Sequence, residues 1–133
     1  MASNLHIWEP NPHGGMGEPT TVTYTYRVLR PLTAYFVKRS GENNLAILYP
    51  VTPVTDMESV SWMSIAVNYP LGQSEEIGSF EDKVASQDIP VVESQRPELL
   101  PLGLQAELHL RSDRTAIAYI QWLKQLAVTF GTK

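Results

Sequence analysis

Cysteine is absent from this sequence of 133 residues, and that absence excludes several kinds of chemistry. A chain without thiols cannot form disulfides, hold zinc through thiolates, use a cysteine nucleophile or ligate an iron–sulfur cluster through cysteine. Histidine is nearly as scarce, since only His6, His13 and His109 occur. The first two are seven residues apart around a proline-rich loop, a spacing more typical of surface histidines than of a ligand pair.

Blocks of basic residues and long apolar runs are also missing. Ten Lys and Arg residues stand against fourteen Asp and Glu residues, which gives a formal net charge of −4. Phosphate backbones attract clustered positive charge, so this composition argues against a nucleic-acid partner. No apolar run approaches the roughly 20 residues of a membrane span, and no secretory signal pattern is visible. We therefore expect a soluble, cytoplasmic domain with no membrane span, and the 43% of hydrophobic residues is enough for one packed core.

The first half of the chain, residues 1–72, is predicted to form mainly β-strands. Residues Thr20–Arg30 alternate between apolar or aromatic and polar side chains, which is the pattern of a half-buried antiparallel strand. Residues 32–39 and 45–51 flank a Ser-Gly-Glu-Asn turn and are expected to form a hairpin. Two further strands are predicted, at residues 3–9 and 60–69.

The second half, residues 73–133, is predicted to be mainly helical. Ile77, Phe80 and Val84 recur at helical spacing and form one apolar stripe. A last helix is expected over residues 114–128, preceded by a cap from the Ser-Asp pair at 112–113. Strands followed by helices predict an α+β domain in which helices pack across one antiparallel sheet.

The most informative single residue is Asp88, because the apolar stripe of the first helix reaches it one turn after Val84. A carboxylate on the core side of a helix is costly unless it is paired, hydrogen-bonded or bound to metal. Pro90 disfavours an undistorted helix interior, so a kink or a new start near Asp88 is expected. Asp88 could then be the N-cap of the new helix, and the pattern leaves both interpretations open.

A second polar cluster follows at Glu93, Gln95, Arg96 and Glu98. Its simplest interpretation is a partly buried Glu–Arg pair that ties the end of the helix to the leucine-rich segment after it. His109 stands between two leucines and is predicted to be a half-buried side chain with a satisfied ring.

The run EDKVASQDIPVVESQRPELLPL, followed by AELHLRSDRTAIAYIQWLKQL, closely resembles the C-terminal end of Rieske non-haem iron oxygenases. The branch it resembles contains vanillate O-demethylases, pheophorbide oxygenases and cell-death-suppressor proteins. That family shows an Asp followed by P-V-V-E-x-Q-x-P, then E-L-H, an Asp-Arg pair and an aromatic-rich last helix. The resemblance implies that residues 1–133 form part of a helix-grip (START-like) catalytic domain.

In such oxygenases a Rieske 2Fe–2S domain passes electrons to a mononuclear Fe(II) held by two histidines and one carboxylate. The resemblance implies that Asp88 is this carboxylate, and it places Asp88 beside an apolar pocket. Gln87 and Glu93 become neighbours that can orient it. The implied substrates are aromatic or other ring compounds that are hydroxylated or O-demethylated with O₂.

The sequence also departs from that family in what it lacks. A Rieske domain needs two cysteines, and the histidine pair of the family has the spacing H-x4-H, which none of the histidines here shows. We therefore expect a C-terminal portion that is inactive alone and binds neither iron nor a cluster by itself. It would need the missing Rieske and histidine-pair portion and a reductase, and it is expected to form a homo-oligomer. The alternative is a non-catalytic helix-grip module that binds an apolar ligand or a partner subunit.

Overall fold

The computed structural model describes residues 2–10, 12, 18–70, 74–103, 105 and 108–133. Within these residues, strands come first and helices follow, so the predicted α+β class is confirmed. The strands and helices are β1 (Ala2–Glu9), β2 (Thr20–Arg30), β3 (Thr33–Ser40), β4 (Asn43–Pro53), β5 (Ser59–Ser61), β6 (Ser64–Val67), α1 (Ser74–Glu93) and α2 (Arg114–Gln125).

The described strands form one antiparallel sheet in the order β1-β2-β3-β4, with β5 and β6 both pairing with the far side of β4. Strand β2 matches the predicted bounds, and the predicted hairpin is the β3–β4 pair. Its turn contains Gly41 at φ +58°, a left-handed conformation that glycine adopts without steric cost.

Strands β5 and β6 were predicted to be one strand over residues 60–69, and the structure divides it. The pairing with β4 keeps one register throughout, from Val51 opposite Ser61 to Leu45 opposite Val67. The interruption at residues 62–63 lies across from Pro50. The Trp62 N–H donates to the Pro50 carbonyl, but Pro50 has no N–H to donate in return, so half of this hydrogen-bonded pair cannot form.

Alternate residues of each strand point to the same face of the sheet, and the core lies on that face. Val22 on β2 and Leu45 and Ile47 on β4 are its most buried apolar residues in the sheet, with exposures of 0%, 5% and 1%. Ile120 and Leu123 are the buried residues of α2. This inward face is set by the period of two in the strands, because successive side chains point to opposite sides.

Helix α1 is continuous from Ser74 to Glu93, with Pro90 inside it. The expected new start near Asp88 is therefore wrong, while the expected kink stays a prediction. Pro90 has no N–H to donate to the Ser86 carbonyl, but the helix continues past it and the Ser94 N–H donates to the Pro90 carbonyl. Among the described residues, no helix combines the length and the apolar character that crossing a bilayer requires.

Helix α2 and the C-terminal segment attach to one end of the sheet. The Tyr119 hydroxyl accepts a hydrogen bond from the Leu32 N–H in the β2–β3 turn, at 3.2 Å. The Gly131 N–H donates to Asp56 in the β4–β5 loop at 2.8 Å, and Leu100 bridges to Thr132. The helix ends at Gln125 rather than at residue 128, because Ala127 takes a left-handed φ of +52° that a helix cannot continue through.

The alternation of buried and exposed positions along β4 gives a direct test. Replacing Ile47 by Ala leaves a cavity in the core and should lower the free energy of unfolding by about 2–5 kcal/mol. The adjacent Leu48 points to the other face and is 38% exposed, so Leu48→Ala should cost only about 0.5 kcal/mol. Denaturant unfolding of both variants measures the difference, and equal losses would contradict the assigned register.

Candidate functional site

Among the side chains of α1 that the structure describes, the half-buried ones end at Ala85. The half-buried described positions of the helix are Gly78, Glu81 and Ala85, which recur at three- and four-residue spacing along one face. From there onward every residue of 86–98 is exposed. The half-buried positions thus stop two turns before the end of the helix.

Asp88 lies in this exposed second half, on the continuation of the covered face. It is inside the helix, so the N-cap interpretation is wrong. Its side chain is exposed rather than held in an apolar pocket of this chain. Its neighbours in the helix are apolar and also exposed, with Ile89 at 53%, Val91 at 62% and Val92 at 68%. The carboxylate therefore stands on an uncovered apolar surface.

Gln87 and Glu93, the two predicted neighbours of Asp88, are both exposed residues of α1. An α-helix turns about 100° per residue, so Gln87 points about 100° away from Asp88 and Glu93 about 140° away. Val84 and Val92, one turn before and one turn after Asp88, each lie about 40° from it around the helix. An orienting role for Gln87 and Glu93 stays a prediction.

The polar cluster after α1 is a surface feature. Arg96 lies 3.7 Å from Glu98, with both side chains more than half exposed, so the expected partly buried pair is wrong in its burial. Arg96 also donates to the backbone carbonyls of Glu93 and Gln95, at 3.1 and 2.7 Å. The guanidinium thereby caps the end of α1 through carbonyls, a role that needs no carboxylate partner.

A cluster that the sequence analysis missed lies on the inward face of the sheet. Glu9 of β1 accepts hydrogen bonds from the Tyr24 hydroxyl at 2.6 Å and from the Lys38 ammonium at 2.5 Å. The side chains of Lys38 and Glu9 are only 14% and 19% exposed, and Lys38 also lies 5.7 Å from the centre of the Tyr24 ring. The contacts join β1, β2 and β3 through one shared carboxylate, and we call these three residues the inner polar cluster.

Aromatic rings extend the inner polar cluster along the same face. Tyr24 stacks on Tyr26 with ring centres 5.7 Å apart, and Phe36 lies 5.5 Å from Tyr26. Burial raises the pKa of the Tyr24 hydroxyl, and the Glu9 carboxylate raises it further. The pKa of Tyr26 is raised for the same two reasons. Both hydroxyls therefore stay protonated at physiological pH and act as hydrogen-bond donors.

Glu81 brings a second carboxylate to this face from α1. Burial raises the pKa of Glu81, while the positive charge of Lys38 opposes that shift. The Glu81 charge in turn raises the pKa of Tyr24 and of Tyr69. Glu81 is thus a half-buried carboxylate whose charge acts on the hydroxyls of this face.

The sequence does contain a signal for the inner polar cluster. Tyr24 lies on the inward side of β2, and Lys38 stands directly opposite it on β3. Lys38 is thus a charged residue at a position that alternation assigns to the inside, and Glu9 follows Leu5 and Ile7 at alternate positions of β1. A cation and a carboxylate at inward positions of one sheet predict a pair.

The two histidines that the structure describes belong to no group that could hold a metal ion. His6 lies on the outer side of β1, where its Nδ1 is 3.2 Å from the Thr23 hydroxyl, and His13 is outside the described residues. His109 is half-buried as predicted, but its Nε2 is buried without a hydrogen-bond partner among the described residues, so its ring is not satisfied.

Hydrogen bonds from the Leu110 N–H and from Ser112 lower the pKa of Asp113. Asp113 does precede α2, as predicted, but its carboxylate forms hydrogen bonds with residues that come before the helix. It accepts from the Leu110 N–H at 2.7 Å and from the Ser112 hydroxyl at 3.0 Å, and it makes no side-chain hydrogen bond to the first turn of α2. The side chain therefore closes the short 3-10 turn ahead of the helix instead of capping the helix itself.

The side chains present do not form a complete iron site. Within the part of the chain that the structure describes, no three His, Cys, Asp or Glu residues stand close enough together to hold a metal ion. A Rieske cluster also needs cysteine, and the sequence has none. Among the described residues, Asp88 is thus not part of a group that could hold a metal ion.

Comparison with known proteins identifies the class. The family model of the vanillate O-demethylase oxygenase C-terminal domain matches residues 7–129, so the chain belongs to that family of Rieske-type oxygenases. A probable methylxanthine N7-demethylase of Pseudomonas sp. (strain TJI-51) is 30% identical over 134 residues. That alignment covers 98% of this chain and 48% of the demethylase. The chain thus spans about half the length of the curated relative it matches, and the predicted resemblance is confirmed.

The contribution to stability of the hydrogen bond from Tyr24 to the Glu9 carboxylate can be compared with that of a hydrogen bond between two uncharged hydroxyls. Tyr24→Phe leaves the carboxylate with one donor fewer and should lower the free energy of unfolding by about 1.5–3 kcal/mol, the range for bonds to charged groups. Tyr49→Phe removes a bond of 2.8 Å to the Ser61 hydroxyl and should cost only about 0.5–1.5 kcal/mol. Chemical denaturation of both variants gives the comparison. A Tyr24→Phe loss no larger than that of Tyr49→Phe would show that the inner polar cluster is energetically unimportant.

Proposed function

We propose that this chain is the C-terminal portion of a Rieske oxygenase catalytic domain, in which Asp88 is the carboxylate ligand of the mononuclear iron. The family match over residues 7–129 carries this proposal, together with the position of Asp88 on the uncovered half of α1. A carboxylate whose partners lie elsewhere must be accessible from outside its own chain, and Asp88 is. The iron supplies O₂ activation in such oxygenases, and this chain contributes one of its ligands and the helix that presents it.

The proposed partners are those that would supply the iron ligands and the cluster domain that such an oxygenase needs in addition to this chain. The iron needs two histidines and the Rieske cluster needs its own domain, so we infer that both come from the portion of the protein that this sequence does not include. A reductase would supply the electrons. Ile89, Val91 and Val92 give that portion an apolar surface to bind around Asp88. We also propose that the assembled protein is a cytoplasmic homo-oligomer of partial helix-grip domains.

The proposed substrates are aromatic or other ring compounds, which the oxygenase hydroxylates or demethylates. The named relative is a probable demethylase of methylxanthines, which are flat rings that carry methyl groups on nitrogen. The described inward face supports a flat substrate, because it carries the stacked rings of Tyr24 and Tyr26, with the Phe36 ring tilted against Tyr26, and aromatic rings favour planar partners. The competing function, a non-catalytic module that binds an apolar ligand or a partner subunit, is an outcome of the experiment below.

The test uses iron content in two settings. For the purified chain loaded with Fe(II) without oxygen, we expect well below one iron per chain, because a single carboxylate is a weak site. For a chimaera in which this chain replaces the matched 48% of the methylxanthine N7-demethylase, we expect both the visible absorption of the cluster and one further iron. Asp88→Asn in the chimaera should remove about one iron per chain and leave the cluster absorption unchanged.

Asp82→Asn is the matched control, because Asp82 is an exposed carboxylate on the same helix. It should retain all the iron. If Asp88→Asn and Asp82→Asn bind equal amounts, Asp88 is not the ligand. If the chimaera folds and forms its cluster but holds no further iron, the non-catalytic module is the better account. A tight one-to-one iron complex of the chain alone, with oxygenase turnover, would also contradict the proposal.

A further inference from the structure

Strand β1 is an edge of the sheet, and the side of it that faces away from β2 has no neighbouring strand among the described residues. Edge strands are usually short, interrupted by proline or a bulge, or protected by lysine, because their unpaired backbone groups attract other strands. Strands β5 and β6, at the opposite end of the sheet, are short, with three and four residues. Strand β1 has eight residues, pairs with β2 without a register shift and contains neither proline nor lysine. Its one charged residue, Glu9, is the last of the strand and already binds Tyr24 and Lys38.

The backbone groups of β1 that point away from the sheet can be assigned from hydrogen bonds at the other end of the sheet. Successive residues of an antiparallel strand bond alternately to the neighbour on one side and to the neighbour on the other. The Val51 N–H donates to the Leu32 carbonyl, and the Asn68 N–H donates to the Asn44 carbonyl. Odd-numbered residues of β4 therefore bond to β3, and even-numbered residues bond to β6.

The strand registers extend this alternation to β1. Even-numbered residues of β3 bond to β4, so its odd-numbered residues bond to odd-numbered residues of β2. Even-numbered residues of β2 then bond to β1, where they lie opposite odd-numbered residues such as Leu5 and Ile7. The N–H and C=O groups of Asn4, His6 and Trp8 therefore point away from the sheet, and we call them the open edge.

Exposed apolar side chains flank the open edge on both faces of the sheet. Leu5 and Ile7 lie on the inward face, opposite Tyr24 and Val22, yet they are 49% and 38% exposed. Val22, one strand further into the sheet, is completely buried, so the covering of the inward face decreases toward β1. Trp8 is exposed on the outer face. A strand added beside β1 would cover these side chains through cross-strand contacts.

We propose that the open edge pairs with an extended segment of the portion that this sequence does not include, so that the sheet continues into that portion. The existence of that portion rests on the proposed function, whereas the open edge does not. Slightly more than half of the demethylase relative lies outside the match, which is ample length for a further strand. A segment of the same polypeptide also has a far higher effective concentration at the open edge than a second copy of the chain has. The expected occupant is a strand with alternate apolar side chains that contact Leu5 and Ile7.

Hydrogen exchange, resolved to single amides by mass spectrometry with electron-transfer fragmentation, tests this pairing. In the chain alone at low micromolar concentration, the amides of Asn4, His6 and Trp8 should exchange at close to their intrinsic rates, while those of Leu5 and Ile7 should be protected. In the chimaera with the demethylase, the three amides of the open edge should exchange at least about tenfold more slowly. Unprotected amides at the open edge of a folded chimaera that contains its cluster would overturn the proposal.

Proline variants test the assigned direction of the backbone groups. His6→Pro removes an N–H of the open edge and should shift the unfolding midpoint of the chain alone much less than Leu5→Pro, which removes an N–H bonded to β2. In the chimaera, His6→Pro should make the amides of Asn4 and Trp8 exchange faster. His6→Ala is the matched control, because it removes the same side chain but keeps the N–H, and it should leave these amides protected. Equal midpoint shifts for the two proline variants would contradict the assignment of the open edge.

The remaining outcomes separate this proposal from its alternatives. Protection of the open edge that is already present in the chain alone, and that grows with concentration together with a doubled light-scattering mass, would assign the open edge to a second copy and overturn the proposal. Exchange at the open edge does not involve the mononuclear iron. Asp88→Asn in the chimaera should therefore leave that protection unchanged, so a wrong ligand assignment and a wrong pairing of β1 are detected separately.

Discussion

Helix α1 extends beyond the part of the chain that covers it, and this mismatch leaves its last turns exposed. Twenty residues of α-helix extend about 30 Å, yet the half-buried described positions end at Ala85. The remaining turns carry Asp88 together with exposed Ile89, Val91 and Val92. Apolar groups left in water are unfavourable, and the proposed function assigns this apolar surface to contact with another part of the oxygenase.

The inward face of the sheet carries a polar cluster beside its apolar core. Glu9, Tyr24 and Lys38 join three strands through hydrogen bonds of 2.5–2.6 Å. Burying a charge is costly unless it is paired, and here the Lys38 ammonium is the partner of the Glu9 carboxylate. One shared carboxylate therefore links three strands in addition to their backbone hydrogen bonds.

Much of the fold could be predicted from the sequence, because strand alternation is a local property. Strand β2 was predicted with its observed bounds, and the β3–β4 hairpin was predicted from its turn. The interruption opposite Pro50 was not, since it depends on which strand pairs with which. The exposure of Asp88 could not be predicted either, because periodicity shows the face of a helix but not how far the covering part of the chain extends. The pairing of Lys38 with Glu9 was missed, although both stand at inward positions, because it depends on the order of the strands in the sheet.

We propose that Asp88, presented by the uncovered half of α1, binds an iron whose other ligands lie outside this chain. Anomalous diffraction at the iron edge, from crystals of the chimaera with the methylxanthine N7-demethylase, measures whether it does. We expect two kinds of iron peak, one from the cluster and one bonded to an oxygen of the Asp88 carboxylate together with two histidines of the demethylase portion. A mononuclear iron peak with full occupancy and no bond to Asp88 would show that Asp88 is not a ligand.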